Sequence, residues 1–255
     1  MIRLSVVIIT FNEERNIERC IRSVQEVADE VLVVDSFSTD QTEALCKKSG
    51  ARFIQHPFEG HIEQKSFAIT QALYDHVLSL DADEALSEKL KTSILHTKEN
   101  WNHSAYSMNR LTNYCGQWIR HGGWYPDSKV RLFEKGKGKW GGQNPHDKFL
   151  PADARDTGML KGDLLHYSYY SIEGHISQIN KFTEIGAQSA FLAGVHSNML
   201  KLIFKPVFKF VRDYILLLGF LDGYYGFVIS RISAHGTFLK YVKLRELAKK
   251  SGQSL

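Results

Sequence analysis

Aliphatic runs of strand length alternate with stretches of helical periodicity over the first third of the chain. Leu4 to Ile9 reads LSVVII, apolar at nearly every position, as a central parallel strand covered on both faces requires. Ile17, Cys20, Ile21 and Val24 then recur at helical spacing and predict a helix over residues 14–27. The pattern repeats with a strand at Val31 to Val34 and a helix over 41–49, N-capped by Thr39 or Asp40 and closed by Gly50. A third strand is expected at Arg52 to Gln55, and a third helix over 63–74 offers Phe67, Ala68 and Leu73 for its inner face. A fourth strand follows at His76 to Leu80. Repeated β-α steps predict an α/β fold, an open, mostly parallel, Rossmann-like sheet of the nucleotide-binding kind.

Polar groups stand at the strand ends: Thr10 and Asn12 after the first, Asp35 and Asp40 after the second, Asp81 and Asp83 after the fourth. Ligands of parallel sheets sit at these carboxyl ends. Neither Gly-x-Gly-x-x-Gly nor Gly-x-x-x-x-Gly-Lys-Ser/Thr follows any of these four strands, so dinucleotide and ATP-loop readings lose their main support. In LSLDADE, the carboxylates of Asp81, Asp83 and Glu84 repel one another unless a cation neutralises them. Mg²⁺ and Mn²⁺ are held by one or two carboxylates plus phosphate oxygens, so the cluster predicts a metal-diphosphate site. The alternative is a solvated acidic turn leading into a helix capped by Ser87.

Composition changes this picture little. The 255 residues, 43% hydrophobic and 24% charged, suit one large globular domain or a domain with an appendage. The net charge of +4 points to an anionic partner such as a nucleoside diphosphate or membrane lipid. No helix-turn-helix, zinc-finger or RNA-binding signature is present, so no nucleic-acid partner is expected. Cys20, Cys46 and Cys115 are odd in number and lack a Cys-x-x-Cys pair, which favours a reducing cytoplasm. The chain opens on a strand without a secretory signal, and an intracellular location is expected.

Three stretches carry a resemblance. SVVIITFNEERNI, VLVVDSFSTDQT and LSLDADE resemble, in order and spacing, the opening strand, nucleoside loop and metal-binding Asp-x-Asp of the family 2 glycosyltransferases of GT-A fold. Together with RHGGWYPDSKVRLF, NPHDKF and LGFLDGYYGFVIS, the chain is similar to the lipopolysaccharide core biosynthesis enzymes of that family, of the heptose β-1,4-glucosyltransferase type. The resemblance implies that Asp35 accepts from a uracil ring, with Thr10, Asn12 and Glu13 lining the same pocket. It further implies Asp81 near ribose and metal, Asp83 on Mn²⁺ or Mg²⁺ bridging a diphosphate, and His166 as a third metal ligand. Lys65 and Arg131 are cationic candidates for the diphosphate or acceptor. Against these stand plainer readings: Asp40 as a helix cap, Arg131 as a solvated cross-strand partner, His166 as a structural histidine.

After residue 100 the rhythm gives way to aromatic and glycine-rich stretches around Trp118, Trp124 and Trp140, suited to stacking on sugar faces or to filling a β-rich core. Inverting transfer needs a carboxylate to take the acceptor hydroxyl's proton. Where the family usually carries an acidic pair, this chain reads Asn144-Pro145-His146-Asp147, and Asp147 is the expected base, with Glu134 and Asp127 in reserve.

Residues 199–230 are rich in large apolar side chains but interrupted by charges, so no charge-free span of about 20 residues exists. Lys201, Lys205, Lys209 and Arg212 fall on one helical stripe, the pattern of a helix lying on an anionic membrane surface. A helical appendage packed on the catalytic domain or on a second copy in a homo-oligomer has the same pattern. The expected organisation is a GT-A domain over 1–195 and a C-terminal amphipathic helical extension over 196–255. The expected activity is inverting, metal-dependent transfer of one hexose from a UDP-sugar, UDP-glucose above all, to a lipid-linked oligosaccharide at the inner face of the plasma membrane. The alternatives are a sugar nucleotidyltransferase or a catalytically inactive sugar-nucleotide-binding subunit.

Overall fold

The computed structural model describes residues 1–143 and 146–251, and of Gln143 and His146 the backbone alone. The chain divides into two compact units, one of residues 1–111 and 127–167, the other of residues 112–126 and 168–255.

The first unit begins with the expected alternation: β1 (Leu4–Thr10), α1 (Ile17–Val24), β2 (Glu30–Asp35), α2 (Thr42–Lys48), β3 (Arg52–Gln55), α3 (His61–Gln71) and β4 (His76–Asp81). β1 is buried at every position because both its faces are covered. Val6 and Ile8 join Ile17, Ile21 and Val24 in one core layer, while Val7 and Ile9 join Ala68 and Phe133 in the other. β1 runs parallel to β2 and β4, with Thr10 opposite Asp35 and Ile9 opposite Asp81. That register brings three polar strand ends to one edge. α3 stops at Gln71, earlier than expected, because Ala72 turns extended and the Leu73 N–H is held by Glu30 at 2.7 Å. Leu73, expected inside, is therefore 67% exposed.

After a short turn into β5 (Glu84–Leu86), Ser87 caps α4 (Glu88–Glu99) by accepting from the Leu90 N–H at 3.3 Å. The rest of the unit is antiparallel: β6 (Ala105–Tyr114), β8 (Asp127–Glu134), β9 (Gly138–Gln143), β10 (His146–Pro151) and β11 (Thr157–Tyr169), while β7 (Gln117–Ile119) belongs to the second unit. The main sheet runs β3-β2-β1-β4-β8-β6-β11-β5, so it is mixed rather than mostly parallel. β9 and β10 form a separate hairpin, and Phe149 of β10 stacks on Phe133 of β8 at 3.7 Å.

The second unit holds the end of β6, β7, and the helices α5 (Ile172–Leu192), α6 (Met199–Phe210) and α7 (Gly223–Lys250). Between α6 and α7 lie a wide helical turn, Val211–Leu216, and a tight one, Gly219–Asp222. Its core is aromatic: Tyr114 is fully buried against Trp124, Tyr169, Tyr225 and His175, and its hydroxyl lies 2.9 Å from His175 Nδ1. Asp222 binds the loop after β7, accepting from the backbone N–H of Arg120 and His121 at 3.1 and 2.8 Å and facing His121 Nδ1 at 3.0 Å. Cys20 and Cys46 are buried, whereas Cys115, at positive φ in the β6–β7 turn, is partly exposed. Among the described residues no single helix is long and apolar enough to cross a membrane. Only the pair Met199–Leu216 and Gly219–Lys250, bent by 71°, meets that requirement jointly.

Candidate active site

The parallel strand ends of the first unit carry two loops that bind each other. Asn12, at φ 52°, donates its N–H to Ser38 Oγ at 2.7 Å and accepts the Thr39 N–H on Oδ1 at 2.8 Å. Glu13 donates its N–H to Thr42 Oγ1 at 2.9 Å, and Asp40 accepts from the Thr42 and Glu14 N–H groups, so it ties the turn before α2 and is not the expected helix cap, a position that Gln41 takes. Asp35 is fully buried, its two oxygens taking the Ser38 N–H at 2.8 Å and the Ser38 hydroxyl at 2.5 Å. The carboxylate expected to read a base also organises the loop that follows it. Thr10 is buried, and its hydroxyl is without a partner among the described residues. Burial raises the Glu13 carboxyl above its ordinary range; the Asn16 amide works against this, while the nearby charges of Asp83 and Asp40 add to it.

The three acids after β4 separate into two environments. Asp81 accepts from Lys65 Nζ at 2.9 Å on one oxygen and from Arg131 Nη2 at 2.8 Å on the other. Arg131 also reaches Glu84 at 2.9 Å, and Glu84 in turn accepts the Asp81 N–H at 2.9 Å. Burial alone would raise the Asp81 carboxyl, but Lys65 and Arg131 overcome it and hold the group well below the usual carboxylate range. Asp81 is therefore ion-paired to two cations at once. Lys65 and Arg131 are themselves 2% and 4% exposed, which corrects the plainer reading of Arg131 as a solvated cross-strand partner. Trp140 lies over both, 4.7 Å from Lys65 Nζ and 5.6 Å from the Arg131 guanidinium carbon.

Asp83 points elsewhere. Its carboxylate is 24% exposed and lies 3.2 Å from His166 Nε2, whose ring is 14% exposed. β11 sets this pair: His166 stands opposite Glu84 in the β5–β11 register, and the next residue, Tyr167, donates its N–H to the Asp83 carbonyl at 2.9 Å. One carboxylate and one imidazole fit a hard divalent ion whose remaining positions are filled by phosphate oxygens. No three His, Cys, Asp or Glu side chains converge for a metal among the described residues.

Asp147, on β10, lies 2.7 Å from Lys65 Nζ with 11% of its side chain exposed. Lys65 thus bridges it to Asp81. Asn144 and Pro145 of the same motif, and the His146 side chain, lie outside the described residues. The link through Lys65 had no place in the sequence-based site, and Trp140 was read there only as a sugar-stacking or core aromatic. Glu84 was visible as a third acid, but its partner Arg131 is 47 residues away and found only through the sheet.

The acid-rich edge of the parallel half-sheet is thus extended by antiparallel strands that bring in a carboxylate and a histidine. Residues 5–155 match the family described as Glycosyl transferase family 2, and the chain belongs to that family. An uncharacterized glycosyltransferase of Rickettsia typhi is 34% identical over 98% of this chain and 89% of that protein. The lipopolysaccharide core biosynthesis glycosyltransferase LpsC of Rhizobium meliloti is 30% identical over 94% of this chain and 91% of its own length. Among solved structures, TarS of S. aureus is 15% identical over 98% of this chain and 92% of that one, with a TM-score of 0.47. Glucosyl-3-phosphoglycerate synthase of Mycobacterium tuberculosis is 25% identical over 44% of each chain, with a TM-score of 0.36.

Proposed function

We propose that this glycosyltransferase moves a single hexose, glucose from UDP-glucose, with inversion, onto a lipid-linked oligosaccharide of the lipopolysaccharide core type, while docked peripherally on the inner face of the plasma membrane. The acceptor class follows the likeness to LpsC, which extends over nearly the whole of both chains. The observation that carries the chemistry is the division of labour among the acids: Asp81 is neutralised by Lys65 and Arg131, Asp83 is paired with His166, and Asp147 stands on the other side of Lys65.

In this reading Asp83 and His166 would hold Mn²⁺ or Mg²⁺, which would supply Lewis-acid stabilisation of the leaving diphosphate. Asp147 takes the proton from the acceptor hydroxyl as that oxygen attacks the anomeric carbon from the face opposite the diphosphate. Lys65 orients Asp147 through the 2.7 Å contact. The linked loops of Asn12, Glu13 and Asp35 form the nucleoside end, with the Thr10 hydroxyl available to a donor.

The test is calorimetric titration with UDP and UDP-glucose, in Mn²⁺ and in chelator, combined with transfer assays. Wild type is expected to bind UDP only with metal, Asp83→Ala to lose both metal-dependent binding and transfer, and Asp147→Asn to keep binding while losing transfer. Undiminished transfer in Asp83→Ala would refute the metal role, and undiminished transfer in Asp147→Asn would refute the base.

A further inference from the structure

The segment from α6 to the first turn of α7 is the most apolar surface of the second unit. On α6, Leu200, Phe204 and Phe208 are 65%, 63% and 59% exposed, and in the turns beyond it Leu216, Phe220 and Leu221 are 63%, 43% and 56% exposed. Scattered exposed hydrophobes need no explanation, but this many on consecutive turns mark a surface that another phase or partner covers.

The turn that displays them is built rigidly. Leu218 takes a left-handed conformation at φ 58°, a strained choice for a branched side chain, and the Leu217 carbonyl accepts the Gly122 N–H at 2.8 Å. The backbone at Gly219 passes so close to Gly226 that a Cβ on Gly226 would lie 1.8 Å from the Gly219 carbonyl oxygen. The apolar tip is held out by its own backbone packing.

Its charges are sorted. Between Met199 and Phe227 the charged residues are Lys201, Lys205, Lys209, Arg212, Asp213 and Asp222. Both acids are turned inward: Asp213 is 2% exposed and paired with Lys209 at 2.6 Å and Arg212 at 2.8 Å, and Asp222, 6% exposed, is spent on the loop after β7. The outward charge is therefore cationic throughout. A two-fold contact with a second copy would set these lysines against themselves without an exposed acid on the segment to answer them. An anionic bilayer offers both an apolar phase and the complementary charge. Among the described residues no single helix is long and apolar enough to cross a membrane, the run Met199–Leu216 included.

We infer that residues 199–227 are a monotopic membrane anchor, in which the Leu216–Leu221 turn enters the acyl region of one leaflet and α6 lies among anionic headgroups with Lys201 and Lys205 toward the phosphates. This deepens the peripheral docking of the proposed function and rests on it only for the purpose of the docking, since the surface stands whatever sugar is moved.

The experiment is flotation of the full-length protein with phosphatidylcholine vesicles and with vesicles also containing phosphatidylglycerol, with light scattering and UDP titration on the same preparations. Wild type is expected to prefer anionic vesicles and to release at high salt. Leu216→Ser/Phe220→Ser/Leu221→Ser should partition roughly a hundredfold less onto either lipid. Lys201→Gln/Lys205→Gln should lose roughly tenfold on anionic vesicles alone. Flotation of the triple variant at the wild-type level would overturn the anchor. So would a wild-type dimer that the triple variant dissociates without loss of flotation, because the face would then join copies. Retained UDP binding with lost flotation separates failure of the anchor from failure of the donor reading; flotation without UDP binding would leave the anchor standing.

Discussion

Lys65 is the joint on which the candidate site turns, and Lys65→Met tests it directly. The ammonium is 2% exposed, 2.9 Å from Asp81 and 2.7 Å from Asp147. Deleting one partner of a buried ion pair leaves an uncompensated charge and costs about 3–5 kcal/mol. Asp81 keeps Arg131, and Asp147 is 11% exposed, so the low end of that range, about 3 kcal/mol, is expected. Adding Asp147→Asn removes one orphaned charge, and the double variant should recover about 1–2 kcal/mol of the loss. The pH dependence has a definite sign. Asp81 is depressed in the fold, so its contribution is present above the ordinary carboxylate range and disappears as pH falls through the folded value. Without Lys65 that depression shrinks, so the deficit of Lys65→Met is greatest near neutrality and narrows toward acid. Urea unfolding followed by far-UV circular dichroism at several pH values measures all of this. A deficit below about 1 kcal/mol, or a double variant no more stable than Lys65→Met, would refute the bridging role.

His175 is 2% exposed and its imidazole is pushed down from 6.5 to about 4 by burial. The unfolded chain therefore takes up a proton that the fold refuses. Stability should fall by about 1.4 kcal/mol per pH unit as pH drops from about 6.5 toward 4, and His175→Phe should flatten that slope in thermal unfolding. Asp222→Ala strands two backbone N–H groups, and a loss of about 2–4 kcal/mol is expected, with Asp222→Asn recovering part of it. Gly162, at φ 101°, has room for no side chain, since a Cβ would lie 2.4 Å from the Leu90 nitrogen. Gly162→Ala should cost about 3 kcal/mol or more, read by denaturant midpoint, while Gly136→Ala, with open space around it but also at positive φ, should cost about 1 kcal/mol.

Local information explains which parts of this fold were readable. β1 to β4 and the helices between them declare themselves because each element's periodicity and its terminating residues lie within a dozen positions. Ser87 capping α4 was legible for the same reason. The antiparallel half was not, because β8 enters the sheet between β4 and β6, and nothing near Arg131 in sequence announces that its neighbours are Asp81 and Glu84. The acidic cluster itself was plain, whereas its partition into a neutralised Asp81 and an Asp83 paired with His166 depends on strands 50 and more residues away. In the tail, the lysine stripe was visible. The inward turn of Asp213 and Asp222 was not, since it depends on the turns after α6 and the loop after β7.

The three cysteines have a practical corollary. Alkylating reagents attack the thiolate, and burial pushes the Cys20 thiol well up and the Cys46 thiol up to about 12. Cys115 is the partly exposed one, and burial raises its thiol more modestly. The native protein should accordingly accept a maleimide dye at a single position, slowly at neutral pH and faster in mild alkali. That position lies in the same compact unit as the apolar turn and outside the unit that carries Asp83 and Asp147. An environment-sensitive fluorophore there would follow the helical unit in the presence of lipid, without a substitution in the machinery of sugar transfer.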